Sequence, residues 1–189
     1  MKVIAGKYKN RNINFLSNEK TRPTASVVRE ALFSKIQFGL EGATFLDLFA
    51  GSGSVGIEAL SRGAKKVVFV EKDRRNFEII KSNLENCKID KENYELIFSD
   101  YISALGRMVE KFDFVYLDPP YKSEYYARAM ALLLENDLLN DDAIIICEHE
   151  SKSEIVAESY ETLAQKRYGI KMLTYFTAKM EDQPLPNCD

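Results

Sequence analysis

The chain has 189 residues, of which 46% are hydrophobic, so it is long enough for one domain with a substantial buried core. It contains no apolar run of about 18 residues, and residues 1–7 lack the apolar stretch of a signal peptide, so a membrane-spanning or secreted protein is not expected. Three cysteines without a Cys-x-x-Cys spacing argue against a disulfide framework and a zinc site, so we expect a cytoplasmic protein that holds no metal.

The formal net charge is −3, but this charge is unevenly distributed. Residues 1–35 contain eight Lys and Arg against two acidic residues, a formal charge of +6, which leaves −9 for the remainder. A basic segment on an acidic body favours a polyanionic partner that is met at one end of the molecule. The alternative is an ordinary solvated charged face.

The first predicted element is a basic β-hairpin within residues 1–20. Two short apolar pieces, 3–6 and 13–16, flank a stretch with three positive charges and Tyr8. Cations bind phosphate and a ring can stack on a base, so this mixture is typical of RNA binding. A helix is predicted next, capped by Thr24. The RNA-binding candidates in this region are Lys7, Lys9, Arg11, Arg22 and Arg29.

From Thr44 onward, strands alternate with helices. Strands are predicted over 44–49, 66–71, 94–98, 112–117, 143–147, 161–168 and 170–179, and a helix over 73–86. The last two strands form a hairpin around Gly169, so one of them is antiparallel to its neighbour. The pattern predicts an α/β domain over 21–180, with a Rossmann-like, mostly parallel seven-stranded sheet and helices on both faces. Residues 181–189 are predicted to be a disordered tail.

Four acidic residues stand at or near the ends of four successive predicted strands. They are Asp47, Glu71, Asp100 and Asp118. In an open parallel sheet, ligands bind beyond the carboxyl ends of the strands. Scattered acids are usually solvated, but four acids in register at strand ends indicate one site.

A glycine-rich loop follows the first strand. Gly51-x-Gly53-x-x-Gly56, with Glu71 downstream, matches the dinucleotide fingerprint, so an NAD-linked dehydrogenase is one interpretation. Asp47, just before the loop, would however repel a pyrophosphate and attract an ammonium group, and the loop itself contains no basic residue. S-adenosylmethionine, which has an amino-acid end and an adenosine end, fits better.

The sequence Asp118-Pro119-Pro120-Tyr121 follows a buried strand. The prolines end the strand and fix the backbone, so the Asp118 carboxylate and a backbone carbonyl form a rigid pair of acceptors beside a ring. Such a pair can hold the two N–H groups of an exocyclic amine while its lone pair turns toward an electrophile. The alternative is a proline turn with a capping Asp. These four residues are the catalytic candidates, and we expect the basic N-terminal hairpin to project beside them.

These motifs resemble those of a known family. Asp-Leu-Phe-Ala-Gly-Ser-Gly at 47–53, Glu-Lys-Asp at 71–73 and Asp-Pro-Pro-Tyr at 118–121 are similar to motifs of class I methyltransferases that act on exocyclic amines. Segments 3–9, 21–24 and 29–33 narrow the resemblance to bacterial 16S ribosomal RNA guanine 2-amino methyltransferases, although Asn10 stands where that family often has glycine.

The resemblance implies methyl transfer from S-adenosylmethionine to a guanine of 16S ribosomal RNA, within a small-subunit assembly particle. No oligomer interface is evident in the sequence, so we expect a monomer. It implies that Asp47 and the glycine loop hold the methionine end of the cofactor, Glu71 the ribose hydroxyls and Asp100 the adenine amine. The full set of cofactor candidates is Asp47, Phe49, Ala50, Gly51, Ser52, Gly53, Glu71, Lys72, Asp100 and Tyr101.

Three other functions stay open. A DNA adenine or cytosine amino methyltransferase uses the same chemistry, but the chain has no evident separate DNA-recognition domain. A glutamine side-chain methyltransferase usually has Asn in place of Asp118. A non-catalytic ribosome-assembly factor could retain the fold, although the complete acid set argues against it.

Overall fold

The computed structural model describes residues 1–16, 23–120 and 123–179. At its centre is a seven-stranded sheet with the order β3-β2-β1-β4-β5-β7-β6. The strands are β1 Thr44–Asp47, β2 Lys66–Glu71, β3 Tyr94–Phe98, β4 Phe112–Leu117, β5 Leu139–Glu150, β6 Tyr160–Tyr168 and β7 Lys171–Ala178. β1 to β5 pair in parallel, and β7 is antiparallel to both β5 and β6. The predicted mostly parallel, seven-stranded sheet is confirmed.

Helices cover both faces of this sheet. The α-helices of the described residues are α1 Pro23–Ile36, α2 Ser54–Ser61, α3 Arg74–Asn86, α4 Tyr101–Leu105 and α5 Ser123–Glu135. Side chains of α1, α2 and α3 pack into one buried cluster, and side chains of α4 and α5 pack into a second one. The sheet lies between the two clusters, as expected for an α/β fold.

Strand β4 shows why the sequences of the central strands are nearly continuous apolar runs. Phe114 and Tyr116 point into the cluster with α1 to α3, whereas Val115 and Leu117 point into the opposite cluster. Because successive side chains of a strand alternate between faces, a strand that is covered on both faces is apolar at nearly every position.

Several element bounds differ from the prediction. β1 ends at Asp47 instead of residue 49, and α1 begins at Pro23 instead of after Thr24, consistent with the tolerance of proline in a first helical turn. The short helix α4 was not predicted. β5 extends to Glu150, three residues beyond its predicted end, because it pairs with β7 there. The predicted disordered tail over 181–189 lies outside the described residues.

The predicted N-terminal hairpin is not a separate unit outside the core. One antiparallel bridge joins Lys2 and Asn12, and Val3, Tyr8 and Ile13 are buried in the same cluster as α1 to α3. The backbone of this segment lies directly against α2, so closely that a Cβ atom on Gly6 would collide with the Ser61 carbonyl. Burial of apolar side chains therefore makes residues 1–16 an integral part of the domain.

Candidate active site

A cleft of about 1090 Å³ opens beyond the carboxyl ends of the parallel strands. It lies where the strand order reverses, since β1 connects outward to β2 and β4 connects in the other direction to β5. The structure brings the four strand-end acids together here, because all four line this cleft. They are Asp47, Glu71, Asp100 and Asp118.

Glu71 holds the glycine-rich loop in place. One of its carboxylate oxygens accepts a hydrogen bond from the Gly51 N–H at 2.8 Å, and the other accepts from the Asp73 N–H at 2.7 Å. Gly51 has a φ of 53°, a left-handed conformation that favours glycine. Each carboxylate oxygen has a second lone pair, so Glu71 can still accept hydrogen bonds from ribose hydroxyls in the cleft.

Asp47 is a buried carboxylate with 1% of its surface exposed. Burial raises the pKa of Asp47 to about 7, against the lowering effect of the hydrogen bond that the Gly56 N–H donates to it at 3.0 Å. Among the described residues, no Lys or Arg forms an ion pair with Asp47. A buried carboxylate without a cationic partner suits a ligand that brings its own positive charge, such as the ammonium group of an amino acid.

An aromatic wall lies beside Asp100. The ring of Tyr101 lies 5.3 Å from that of Phe49 and 5.6 Å from that of Tyr125, measured between centroids. Asp100 caps α4 by accepting a hydrogen bond from the Ser103 N–H at 3.0 Å, which holds the pKa of this carboxyl below its usual range. A planar adenine could contact the rings while its amine donates to the carboxylate. Sequence reasoning missed Tyr125.

The other cofactor candidates fall into two groups. Ala50, Ser52 and Lys72 line the cleft directly. Gly53 is not among the lining residues: it lies behind the loop with a φ of 73°, and a Cβ there would come within 3.1 Å of the Ile80 side chain on α3. Gly53 therefore lets the loop approach α3.

Asp118, Pro119 and Pro120 also line the cleft, and Tyr121 lies outside the described residues. The Asp118 side chain, immediately after β4, is 39% exposed, so it can be reached from the cleft. Burial of the site and the neighbouring Glu148 raise the pKa of Asp118 to about 7, whereas Lys171 acts to lower it.

Glu148 and Lys171 are site residues that sequence reasoning missed. The Nζ of Lys171 lies 3.0 Å from Glu148 Oε1 and 3.5 Å from Asp118 Oδ1. The Tyr116 hydroxyl donates to the other Glu148 oxygen at 2.7 Å. Glu148 is a fifth acid near a strand end, and a longer predicted β5 would have placed it in the site. Lys171 comes close only through the pairing of β7 with β5.

Among the predicted RNA-binding residues that the structure describes, Lys7, Lys9 and Arg11 lie away from the cleft, whereas Arg29 is one of the residues that line it. The tip of the N-terminal segment packs on the C-terminal ends of α2 and α3: the Lys7 N–H donates to the Ser61 carbonyl at 2.7 Å, and the Arg11 guanidinium donates to the Asn86 carbonyl at 3.4 Å. Both helices run antiparallel to the strands, so their C-terminal ends lie at the opposite edge of the sheet. The expectation that the hairpin projects beside the site is wrong. Lys9 is exposed on the same tip, and Arg22 lies outside the described residues.

Arg29 is a buried structural residue, so the prediction that it binds RNA is wrong. It is 5% exposed, and its guanidinium donates to the Lys2 carbonyl at 2.7 Å. Its Nε lies 3.8 Å from Glu58 Oε2. Arg29 thus connects α1 to the N-terminal segment and α2, and its charge is not available to a phosphate.

Two further searches covered only the described residues. No helix among them is long and apolar enough to cross a membrane. In the same part of the chain, no group of three or more His, Cys, Asp or Glu side chains is arranged to hold a metal ion.

Comparison with known proteins shows the family of the chain. Residues 1–177 match the model of the family described as "Conserved hypothetical protein 95". The chain is 38% identical over 173 residues to "Ribosomal RNA small subunit methyltransferase D" of Haemophilus influenzae, covering 90% of each chain, and 33% identical over 150 residues to the Escherichia coli protein of the same name, covering 79% of this chain and 75% of that protein.

Comparison with solved structures also finds a protein named as a methyltransferase. An Escherichia coli structure named "Putative methyltransferase yhhF" superposes with a TM-score of 0.84 at 28% identity, covering 96% of this chain and 99% of the other. The resemblance to small-subunit ribosomal RNA methyltransferases, and the class I methyltransferase fold, are confirmed. The chain belongs to the Conserved hypothetical protein 95 family.

Proposed function

We propose that this protein transfers a methyl group from S-adenosylmethionine to the 2-amino group of a guanine in small-subunit ribosomal RNA. Relatives that cover most of the chain are named small-subunit ribosomal RNA methyltransferases. The observation that carries the proposal is that Asp118 and Pro119 open into the same cleft as Glu71 and the glycine loop. An amine held at one end of this cleft would face a cofactor held at the other.

The residues of the cleft fit the two ends of S-adenosylmethionine, which supplies a methyl group on a sulfonium. Asp47 would pair with the ammonium group of the methionine end, and Glu71 would accept hydrogen bonds from the ribose hydroxyls. Asp100 would accept from the adenine amine beside the rings of Phe49 and Tyr101. The cleft thus presents carboxylates to each donor group of the cofactor.

Asp118 and Pro119 would orient the target base. The Asp118 carboxylate and the Pro119 carbonyl would accept the two N–H groups of the amine, so that its lone pair points along the cleft. The amine must lose a proton after it gains the methyl group, and Asp118, with a pKa of about 7, can accept it. The guanine must leave its stack to reach this position, which costs a few kcal/mol.

Lys7, Lys9 and Arg11 would contact RNA phosphate at a distance from the cleft. They are exposed, and the partners of Lys7 in the described part of the chain are weak: a solvent-exposed ion pair with Asp90 at 3.9 Å and the Tyr8 ring, whose centre lies 5.3 Å from the lysine nitrogen. RNA that reaches both these residues and the cleft must extend along α2 and α3. Such a long footprint favours a folded RNA or an assembly particle over a short strand.

Methyl transfer from labelled S-adenosylmethionine tests the proposal. Immature small-subunit particles, naked 16S RNA and duplex DNA are each incubated with the wild-type protein and with Asp118→Ala, and the methylated nucleoside is identified by mass spectrometry. We expect N2-methylguanosine in RNA or particles and almost no product with the variant. A methylated adenine or cytosine in DNA, or no transfer to any of the three substrates, contradicts the proposal.

A further inference from the structure

Three charged groups at one end of the cleft form a linked set, which we call the Lys171 triad: Asp118 after β4, Glu148 on β5 and Lys171 on β7. The lysine nitrogen contacts both carboxylates, at 3.0 Å from Glu148 and 3.5 Å from Asp118. All three side chains line the cleft. The Lys171 side chain is 32% exposed and that of Glu148 is 14% exposed, so both can be reached by a ligand.

We propose that Glu148 and Lys171 read the Watson–Crick edge of the target base and select guanine. This inference rests on the proposed function. Guanine presents three adjacent groups on that edge: the 2-amino donor, the N1–H donor and the O6 acceptor. The triad offers the complement: Asp118 accepts from the amine, Glu148 accepts from N1–H, and the Lys171 ammonium donates to O6.

The hydrogen bonds already present fit these roles. Glu148 Oε2 accepts from the Tyr116 hydroxyl, which fixes the carboxylate and leaves Oε1 beside Lys171 for the base. The longer of the two lysine contacts is that to Asp118, and it is this contact that an incoming base would replace. Lys171 would stay with Glu148, so that donor and acceptor lie side by side as O6 and N1–H do.

The same set disfavours the other bases that carry an exocyclic amine. Next to its amine, adenine has the acceptor N1 and cytosine has the acceptor N3, each of which would face the Glu148 carboxylate. Two acceptors in contact leave both groups without a donor, which opposes binding. The triad therefore argues for guanine over the adenine or cytosine substrates of a DNA amino methyltransferase.

A simpler role for Lys171 is to neutralise the acids around the cleft. A neutralising lysine would affect all substrates alike, whereas a lysine that reads O6 affects only bases that have O6. The test must therefore measure the ratio between two bases and not the rate with one. 2-Aminopurine is suited to this comparison because it keeps the 2-amino group but lacks O6 and has an acceptor in place of N1–H.

The experiment compares kcat/KM for the same ribosomal RNA substrate with guanine or 2-aminopurine at the methylated position. For the wild-type protein we expect a preference for guanine on the order of 10²-fold or more. We expect Lys171→Met and Glu148→Gln each to reduce this ratio, the double variant to bring it close to one, and Lys171→Arg to retain it. Circular dichroism checks that each variant is folded.

Lys166→Met is the matched control. Lys166 is an exposed lysine of the same β-hairpin, with its nitrogen 5.9 Å from the centre of the Tyr168 ring and no carboxylate partner in the described part of the chain. We expect it to leave the ratio unchanged. If the wild-type ratio of guanine to 2-aminopurine is near one, or if Lys171→Met leaves it unaltered, then Glu148 and Lys171 do not select guanine. The proposed function would still stand. A wild-type protein that methylates no RNA overturns both.

Discussion

Glu58 accepts hydrogen bonds from the backbone N–H groups of both Ile4 and Ala5, at 2.8 and 3.0 Å. The carboxylate is fully buried on α2, and it also pairs with Arg62 at 2.8 Å and with Arg29 at 3.8 Å. One acidic side chain thus joins the N-terminal segment, α1 and α2. Arg29 is one of the basic residues of the N-terminal region, and Glu58 neutralises its charge inside the protein.

Glu58→Ala is expected to destabilise the fold strongly. The change leaves two partly buried N–H groups without acceptors and the buried Arg29 without its carboxylate, so the free energy of unfolding should fall by about 3–5 kcal/mol. Chemical denaturation monitored by circular dichroism measures this. The control is Glu78→Ala on α3, where the Arg74 pair is solvent-exposed and about 0.5 kcal/mol or less is expected. Equal stability of the two variants would show that Glu58 does not hold the segment.

Asp118→Ala is expected to nearly abolish methyl transfer and to leave cofactor binding largely intact. The carboxylate acts on the amine as its geometry changes, and loss of one preorganised partner of this kind typically costs on the order of 10²–10³ in rate. Single-turnover kinetics give the rate, and calorimetry with S-adenosylmethionine gives the affinity. Normal turnover in this variant would remove Asp118 from the mechanism.

Methyl transfer is expected to depend on pH through the ionisation of Asp118. The charged groups that face it are Glu148, Lys171 and Asp47, and the Tyr116 and Tyr126 hydroxyls lie nearby. The carboxylate must be ionised to accept from the amine, so the rate should fall as the pH drops through about 7. Rates measured from acidic to mildly alkaline pH give this acidic limb of the pH–rate profile.

Variants of Glu148 and Lys171 are expected to shift the acidic limb of the pH–rate profile in opposite directions along the pH axis. Lys171 lowers the pKa of Asp118, so Lys171→Met should shift the limb to higher pH. Glu148 raises the same pKa, so Glu148→Gln should shift it to lower pH. Shifts in the same direction, or no shift in either variant, would show that the limb does not report Asp118.

Glu71→Ala is expected to weaken S-adenosylmethionine binding in two ways. It removes charge-assisted hydrogen bonds to the ribose, each worth about 1.5–3 kcal/mol, and it releases the Gly51 loop that the carboxylate now holds. Calorimetry measures the affinity, and Glu95→Ala on the exposed side of β3 is the control. Unchanged affinity would refute the assignment, and tighter binding of NAD than of S-adenosylmethionine would restore the dehydrogenase interpretation.

Replacing Lys7, Lys9 and Arg11 together with Ala is expected to weaken RNA binding and to flatten its salt dependence. Each lost phosphate contact lowers the log–log slope by roughly 0.7–0.9. The fold should survive because these side chains are exposed, in contrast to Val3 and Ile13. Filter binding at several salt concentrations measures the slope, with Lys35→Ala as the control. An unaltered slope in the triple variant would place RNA recognition elsewhere.

The sequence predicted the strands best where the signal was local. β2, β3 and β4 have the predicted bounds, since each is an apolar or aromatic run that ends at a charged or turn residue. β5 was predicted too short because Asn140 to Asp142 and Glu148 to Glu150 are polar, and their place in the strand depends on pairing with neighbouring strands.

The residues of the candidate site also divide into those with a local sequence signal and those placed by contacts between distant segments. Strand-end acids could be found because parallel strands end at one edge, so Asp47 and Glu71 were located without coordinates. Lys171 could not be found, because its approach to Glu148 follows from an antiparallel pairing between distant segments. Arg29 shows the limit of counting charges, since a formal charge does not reveal whether its side chain is buried.

The position of residues 1–16 has a consequence for the order of folding. Ile4 is held by Glu58, 54 residues further along the chain, and Asn14 is held by Asn83, 69 residues further along. Residues 1–16 precede α2 and α3 in the chain, so they have no surface to pack on until both helices have been synthesised. This segment therefore completes the core only after both helices have packed on the sheet, so its contacts form late in folding.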